Sequence, residues 1–426
     1  MSNVYSRLST ANAYDNSVRN IGMRQSNLSN LQENLTSGKR VVRTSDDPTS
    51  AAIAERSLTR ISRIAADQRA LESQRNAIAL AESTLGDITD NLQSFRELVV
   101  SAGNGGHSNA ERQAIAFQLS GLRDSIVAAA NLKDTNGQPL FGAMGSATTL
   151  ISGPQATSPD YTFNGLPGQQ ASTGISIPIA LDGDSAFMLH PTRDQAFNAV
   201  VNASSTLSIS GVTVSNTATV SATEAATLAA TGRVNSFPDY TLAFTAVDTS
   251  VPGTTTATYT VTENPSVSGA LGPVTVSYPS NQALTVTAIP GLSVSITGIP
   301  KTGDTVSVSA SPSLFSVLDD AIKDIGTATT HNAASQAVAQ TLTNLDIGMQ
   351  RISGVRGQAG DLLTRADRIT SNQDKRSVQL EADRSRAEDL DMIKGISDFN
   401  NQQTGYQAAL QTYAQIQKLS LFNFIG

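Results

Sequence analysis

The residues best suited to chemistry in this 426-residue chain are few and stand far apart. Its three histidines, His107, His190 and His331, sit in unlike contexts. The sequence contains no cysteine, which removes thiolate catalysis, disulfides and cysteine metal sites together. Neither an HExxH pair nor a nucleophile elbow occurs to give a histidine a metal or a serine a base. Gly103-Asn-Gly-Gly-His-Ser108 has the glycine content of a phosphate cradle, but it lacks a preceding strand and a Lys-Ser/Thr sequel, so it reads as the turn of a helical hairpin. Tyr161, Tyr240, Tyr259 and Tyr278 offer rings to sugars, although aromatics at strand spacing are more often core. Lys39, Arg40 and Arg43 cluster in the link after the first helix, where a contact with another subunit would use them. No enzyme, cofactor or metal site is expected.

Behind these residues stands a stronger pattern, at the two chain ends. Ile396, Phe399, Tyr406, Leu410 and Tyr413 follow 3-4-3-4 spacing in a helix expected from about Glu388 to Ile425, with Gln403 and Gln417 at intervening core positions. That is a coiled-coil seam, and a seam needs a partner. Val4, Ala11 and Val18 alternate with Tyr14, Ile21, Leu28 and Leu35 in the same register, again with glutamines, Gln25 and Gln32, at core positions. Residues 1–38 carry five charged side chains and the last 35 residues carry three. Surface helices normally present charged outer faces, and isolated helices of this kind are marginal in water. The ends are therefore expected to fold fully only when packed inside an assembly. The core glutamines are expected to set register rather than strength.

Length allows two to four compact units. A net charge of -7 and a pI near 5.1 argue against nucleic acid, which needs a clustered basic footprint. No run approaches 18 apolar residues, so no membrane-inserted segment is expected, and the first residues lack the basic and apolar regions of a cleaved signal peptide. Gly38 suits the end of the first helix, and Ser45, Asp46 or Asp47, with Pro48, suits the start of the next. From Thr49 to Ala102 one helix is expected, with Ile78, Ala81, Leu85, Ile88, Leu92, Phe95, Val99 and Ala102 at core positions. A second helix follows, capped at Ser108 or Asn109, with Ile115, Leu119, Leu122, Ile126 and Ala129 inward. Asp134-Thr-Asn-Gly137 marks a hairpin turn.

From Met144 to Ser311 the chain holds twelve of the fifteen prolines and only twelve charged residues, and it alternates Val, Ile, Thr and Ser. It reads as an inserted all-β unit, with strands near 206–214, 240–247, 257–261, 274–278 and 292–296 and a short helix near Arg193 to Val201. Helices resume at Ser313 to Ile325 and in a long segment through Val338, Leu342, Leu345, Met349, Ile352, Ala359, Leu363 and Ala366. The fold class is thus α+β and multidomain: a long antiparallel coiled coil and bundle built from both chain ends, with an inserted β-rich outer domain. The expected divisions are 1–47 with 380–426, 48–143 with 312–379, and 144–311 in two lobes, 144–202 and 203–311.

Ser37-Gly-Lys-Arg-Val-Val-Arg-Thr-Ser-Asp-Asp-Pro48, the Asn131–Ala143 hairpin with Asn136-Gly137 and Phe141-Gly142, and the ending through Gln402-Gln403-Thr404, Tyr406, Ala409-Leu410, Tyr413 and Leu419-Ser-Leu421-Phe422 carry a family resemblance. Over roughly 1–200 and 312–426 the chain resembles the axial proteins of the bacterial flagellum, the flagellin superfamily, and within it the hook-filament junction group, hook-associated protein 3. The resemblance implies a structural, extracellular role in motility, with export through the flagellar type III apparatus rather than by a cleaved signal peptide. It implies as partners hook-associated protein 1, flagellin, a ring of like subunits and an export chaperone. Contacts would come from the terminal seam residues, from Lys39, Arg40 and Arg43, and from Leu419, Leu421 and Phe422. A self-polymerising flagellin is the alternative, and a glycan-binding or adhesive surface module a lower one. The stretch from Ala203 to Ser311 looks longer than the family's usual outer domain, and its position predicts surface exposure.

Overall fold

The computed structural model describes residues 3–156, 160–202, 205–269 and 271–425, and the side chains of all these except 3–11, 13, 210, 416 and 418–425. In chain order, α1 (Asn3–Ser37), α2 (Pro48–Ala102) and α3 (Asn109–Ala130) are followed by β1 (Ile151–Ser152), β2 (Thr162–Phe163), α4 (Gly183–Phe187) and α5 (Pro191–Asp194). Next come β3 (Phe197–Val201), β4 (Ser208–Val214), α6 (Thr217–Thr231), β5 (Asp239–Asp248), β6 (Thr254–Asn264) and β7 (Val274–Pro279). The chain continues through β8 (Leu284–Val286), β9 (Leu292–Thr297), β10 (Thr305–Ala310), α7 (Leu314–Thr327), α8 (His331–Glu388) and α9 (Met392–Ile425). Packing divides it into two compact units, residues 1–69 with 369–426 and residues 70–368.

In the first unit, Ala54, Ser57 and Ile64 of α2 and Ile369, Gln373, Leu380 and Ala387 of α8 are buried. Intervals of three and seven in α2, and of four and seven in α8, are those of a coiled-coil seam. Gln68 Nε2 donates to Asp374 Oδ1 at 2.7 Å. The two interhelical links are stitched to each other. Gly38, at φ +71°, ends α1, and its carbonyl accepts from the Leu390 amide at 2.9 Å. The Arg40 amide donates to the Glu388 carbonyl at 2.7 Å. Asp47 caps α2 by accepting from the Ser50 amide at 3.1 Å. The helix expected from Glu388 starts instead at Met392, because Asp391 Oδ1 accepts the amides of Ile393 and Lys394, each at 3.1 Å, and so caps a new helix there.

In the second unit, α2 and α8 form an antiparallel pair pinned by Arg75–Asp367 at 3.2 Å, Arg356–Glu82 at 2.7 Å and Arg96–Asp346 at 3.4 Å. All eight expected α2 core residues from Ile78 to Ala102 are at most 1% exposed. Val338, Leu345, Ile352, Ala359 and Ala366 of α8 recur every seven residues and are also buried. Each large aliphatic side chain sealed this way contributes about 1.5 to 3 kcal/mol. Ser108 and Glu111 complete a capping box at the start of α3, and α3 packs beside α7. Asp134 organises the following turn by accepting from Asn136 and Gln138, and the Leu140 amide closes the turn onto Leu132 at 3.1 Å.

The β-rich part contains an antiparallel five-stranded sheet in the order β3-β10-β5-β6-β7 and a three-stranded sheet, β4-β9-β8. Inward residues alternate along β5, β6 and β9 as a half-buried sheet requires, and one apolar cluster runs from Phe197 to Val308. All five expected strands are present. The helix expected near Arg193 to Val201 is corrected: α5 stops at Asp194, Gln195 takes φ +58°, and Phe197–Val201 is an edge strand. The unit is not all-β either, since α6 places Val220, Thr223 and Thr227 inward at helical spacing. The open edge of β3 is covered by α8. Gln336 donates to the Ala199 carbonyl at 3.2 Å, and Gln340 and Asn344 donate to that of Phe197 at 2.7 and 2.9 Å. Side-chain amides one turn apart thus take the place of a further strand.

Candidate assembly interface

The two terminal helices lie side by side in the first unit. The Tyr413 hydroxyl donates to the Tyr14 hydroxyl at 2.8 Å, their ring centroids are 5.5 Å apart, and Gln417 Nε2 donates to Tyr413 Oη at 3.0 Å. Further along, Gly405 faces Arg24, and Gly395 faces Leu35: a Cβ on Gly395 would meet Leu35 Cδ2 at 3.1 Å and Leu390 Cδ2 at 2.8 Å. Position numbers rise along α1 as they fall along α9, so the pair is antiparallel.

Which residues line the seam follows from exposure. On α1, Ile21, Leu28, Leu31 and Leu35 are half-buried; on α9, Phe399, Gln402, Tyr406, Ala409 and Tyr413 are. The α9 set keeps 3-4-3-4 spacing, but its second line is 402 and 409, one residue before the expected 403 and 410. The same displacement holds on α1, where Leu31 replaces Gln32. Val18 (45% exposed), Ile396 (50%) and Leu410 (41%) remain open, as do Gln25, Gln32, Gln403 and Gln417. The expected placement of the four glutamines inside the pair is therefore corrected: on each helix two neighbouring lines could complete the seam, and the pairing uses the one that leaves Gln25, Gln32, Gln403 and Gln417 open.

The unused lines fall together. In an antiparallel pair, the flank that follows the seam on one helix lies beside the same flank on the other. Val18 comes level with Leu410, Gln25 with Gln403 and Gln32 with Ile396, to within a few residues. The result is a ridge with apolar ends and a glutamine middle. Among the described side chains of α1 and α9, only Gly395 is fully buried. Met23, Met392 and Ile393, which sequence reasoning did not single out, add exposed apolar surface at 56%, 46% and 85%. Val4, Ala11, Leu419, Leu421 and Phe422 lie outside the described side chains.

The three cations of the first link are engaged within the chain. Lys39 pairs with Glu388, Arg43 with Glu33 at 2.8 Å, and Arg40 with Asp47 at 3.3 Å. Arg40 also donates to Ser50 Oγ at 3.0 Å and to the Ala387 carbonyl at 2.9 Å. They lock the links of the first unit while remaining partly exposed. Of the rings considered for sugars, Tyr161, Tyr240, Tyr259 and Tyr278 are all buried, so none presents a stacking face. Among the described residues no group of three or more histidine, aspartate or glutamate side chains is placed to hold a metal ion, and no helix is long and apolar enough to cross a membrane.

Residues 8–146 match the bacterial flagellin N-terminal helical region and residues 342–425 the bacterial flagellin C-terminal helical region, just over half of the chain between them. The chain is 30% identical over 209 residues to flagellar hook-associated protein 3 of Salmonella typhimurium, covering 46% of this chain and 58% of that protein. It is 28% identical over 204 residues to the protein of the same name from Escherichia coli, with the same coverage. It thus spans a little over half the length of these curated relatives. Among solved structures, the fold is similar to flagellar hook-associated protein-3 from Legionella pneumophila, with a TM-score of 0.56 at 23% identity over 77% of this chain and 97% of that one.

Proposed function

Because the chain belongs to the bacterial flagellin family, with the family's helical regions at both ends, we propose that it is the hook-filament junction protein, a structural rather than catalytic component of the flagellum. In this role it joins hook-associated protein 1 on the hook side to flagellin on the filament side, in a ring of like subunits outside the cell. The observation that carries the reading is the open ridge of the terminal pair. The bundle seals its seam to 1% exposure or less from Ile78 to Ala102, whereas Val18, Ile396 and Leu410 stay 41 to 50% exposed. A ridge left open on a helical pair with apolar residues at both of its ends is a surface for neighbouring subunits. Terminal helices would thus form an inner domain, residues 48–143 with 312–379 a second, and residues 144–311 an outward-facing third. Lys39, Arg40 and Arg43 would hold the first unit's links in shape for that packing. Before export through the type III apparatus, the same ridge would be shielded by a chaperone.

The test is to add the purified protein to sheared flagellar ends that carry hook-associated protein 1 and to view them by negative-stain electron microscopy. A short, self-limiting layer is expected. Long filaments growing from those ends would make this a flagellin instead.

A further inference from the structure

The dipeptide Asn-Gly occurs three times in the second unit, at 104–105, 136–137 and 164–165. At such a step a chain can modify itself, because glycine has no Cβ to shield its amide nitrogen from the preceding side-chain carbonyl carbon. The structure holds the three steps differently. Asn164 Nδ2 donates to the Thr149 carbonyl at 3.2 Å and to Ser152 Oγ, which ties its side chain to the β1 segment, and the Phe163 ring lies against Gly165. Asn136 Nδ2 donates to Asp134 Oδ2 at 3.3 Å, and the Gly137 amide that would attack is spent on the Asp134 carbonyl at 3.0 Å. At 104–105, in the turn between α2 and α3, neither restraint applies. Asn104 Oδ1 accepts from the Gly106 amide at 3.1 Å, a bond that folds the side chain over the intervening Gly105 and draws electrons from Cγ. The Gly105 amide donates to no protein acceptor among the described residues. The ring of His331, the first residue of α8, lies against Gly105: a Cβ there would meet ring Cε1 at 3.0 Å and Nε2 at 3.3 Å. Ser335 Oγ stands 3.5 Å from Nε2, at the limit of a hydrogen bond.

We propose that Asn104 is a self-modification site, converted within its own turn to aspartate and isoaspartate through a cyclic imide, with His331 as the proton acceptor. The Gly105 nitrogen attacks Asn104 Cγ as its proton passes to the imidazole, the side chain type best suited to take one near neutral pH. Negative charge developing on Oδ1 is met by the Gly106 N–H, a donor already in place. The imidazolium returns the proton to Nδ2, the Cγ–Nδ2 bond breaks and ammonia leaves. Water then opens the imide, at Cγ to give aspartate or at the backbone carbonyl to give the β-linked isomer. Either product adds a negative charge to the turn, and the β-linked one also lengthens its backbone.

The experiment is peptide mapping by mass spectrometry of the full chain, folded and in urea, during weeks at physiological temperature and neutral pH, with isoaspartate detected by isoaspartyl methyltransferase labelling. In the folded protein Asn104 should convert at least about tenfold faster than Asn136 or Asn164, and in urea the three rates should converge. His331→Gln should slow conversion of Asn104 at least about tenfold in the folded protein while leaving its rate in urea unchanged. The proposal is overturned if Asn136 or Asn164 converts as fast as Asn104 in the folded protein, if the lead of Asn104 persists in urea, or if His331→Gln leaves the folded rate unchanged.

Discussion

Tyr14 and Tyr413 share a hydroxyl–hydroxyl hydrogen bond of 2.8 Å across 399 residues of chain, and it links α1 to α9. It lies on an exposed pair, with Tyr14 42% open. An exposed hydrogen bond of this kind adds about 1 kcal/mol or less. The described side chains of the terminal seam, Ile21, Leu28, Leu31 and Leu35 against Phe399, Gln402, Tyr406, Ala409 and Tyr413, are only half-buried, while α2 and α8 in the second unit are held by a sealed seam.

That contrast predicts unequal stability along the chain. Backbone amides of 14–35 and 396–413 should exchange with solvent through local opening, orders of magnitude faster than those of 78–99, where opening requires breaking the bundle. Hydrogen exchange with mass spectrometry on the monomer measures this. Protection in α1 equal to that in α2 would contradict it.

Substitution of Gln403 separates the two lines of the α9 stripe. Were Gln403 inside the pair, Gln403→Leu would stabilise the monomer. Since it is exposed, the change should move the monomer's unfolding free energy by no more than about 0.5 kcal/mol. Its effect should appear in assembly, as off-register or premature association seen by sedimentation. Gln402→Leu, in the seam, should instead raise thermal stability.

Gln373 is 6% exposed, and neither amide atom has a hydrogen-bond partner. It interrupts the seven-residue series of Ala359, Ala366, Leu380 and Ala387 with a buried polar group. Gln373→Leu should therefore stabilise by about 1 to 3 kcal/mol in chemical unfolding. A destabilised variant would mean that the amide is satisfied in the folded protein.

A pH dependence follows from His190. Burial works against its charge, but the hydrogen bond with Asp184 at 3.3 Å and the contact with Glu224 at 3.9 Å raise it to about 9. The folded value lies above the unfolded one, near 6.5. The contribution is therefore fully present below pH 6.5 and is lost as pH rises toward 9. Its size is on the order of 3 kcal/mol. Unfolding midpoints of the wild type should fall from pH 6.5 to 9, and those of His190→Gln should fall less. Parallel curves would exclude the histidine.

Much of this arrangement was legible from residue spacing. The α2 core could be named residue by residue because heptad burial on one long helix leaves a single solution. The terminal stripe was harder, since two adjacent lines both satisfy heptad spacing, and only the partner's position decides between Gln402 and Gln403. The link cations Lys39, Arg40 and Arg43 read as a subunit contact; Asp47 and Glu33, partners of Arg40 and Arg43, lie nearby in sequence, but Glu388 and Ala387, which Lys39 and Arg40 reach, lie far away. Threonine and alanine in α6 hide its helix within a strand-like composition, and the boundary between α5 and β3 is set by Gln195 at φ +58°, a backbone turn with no signal in the sequence. The Asn and Gln residues of α8 that cover β3 gave no sequence signal, since their partners are backbone carbonyls.

As part of a hook-filament junction, the ridge beside Leu410 would be covered when subunits assemble. The chain contains no cysteine, so Leu410→Cys introduces one uniquely reactive thiol. Its rate of alkylation should be that of an exposed thiol in the monomer and at least about tenfold slower once the protein is assembled on flagellar ends, as burial blocks access. Equal rates in the two states would show that this flank stays open, and would contradict the account.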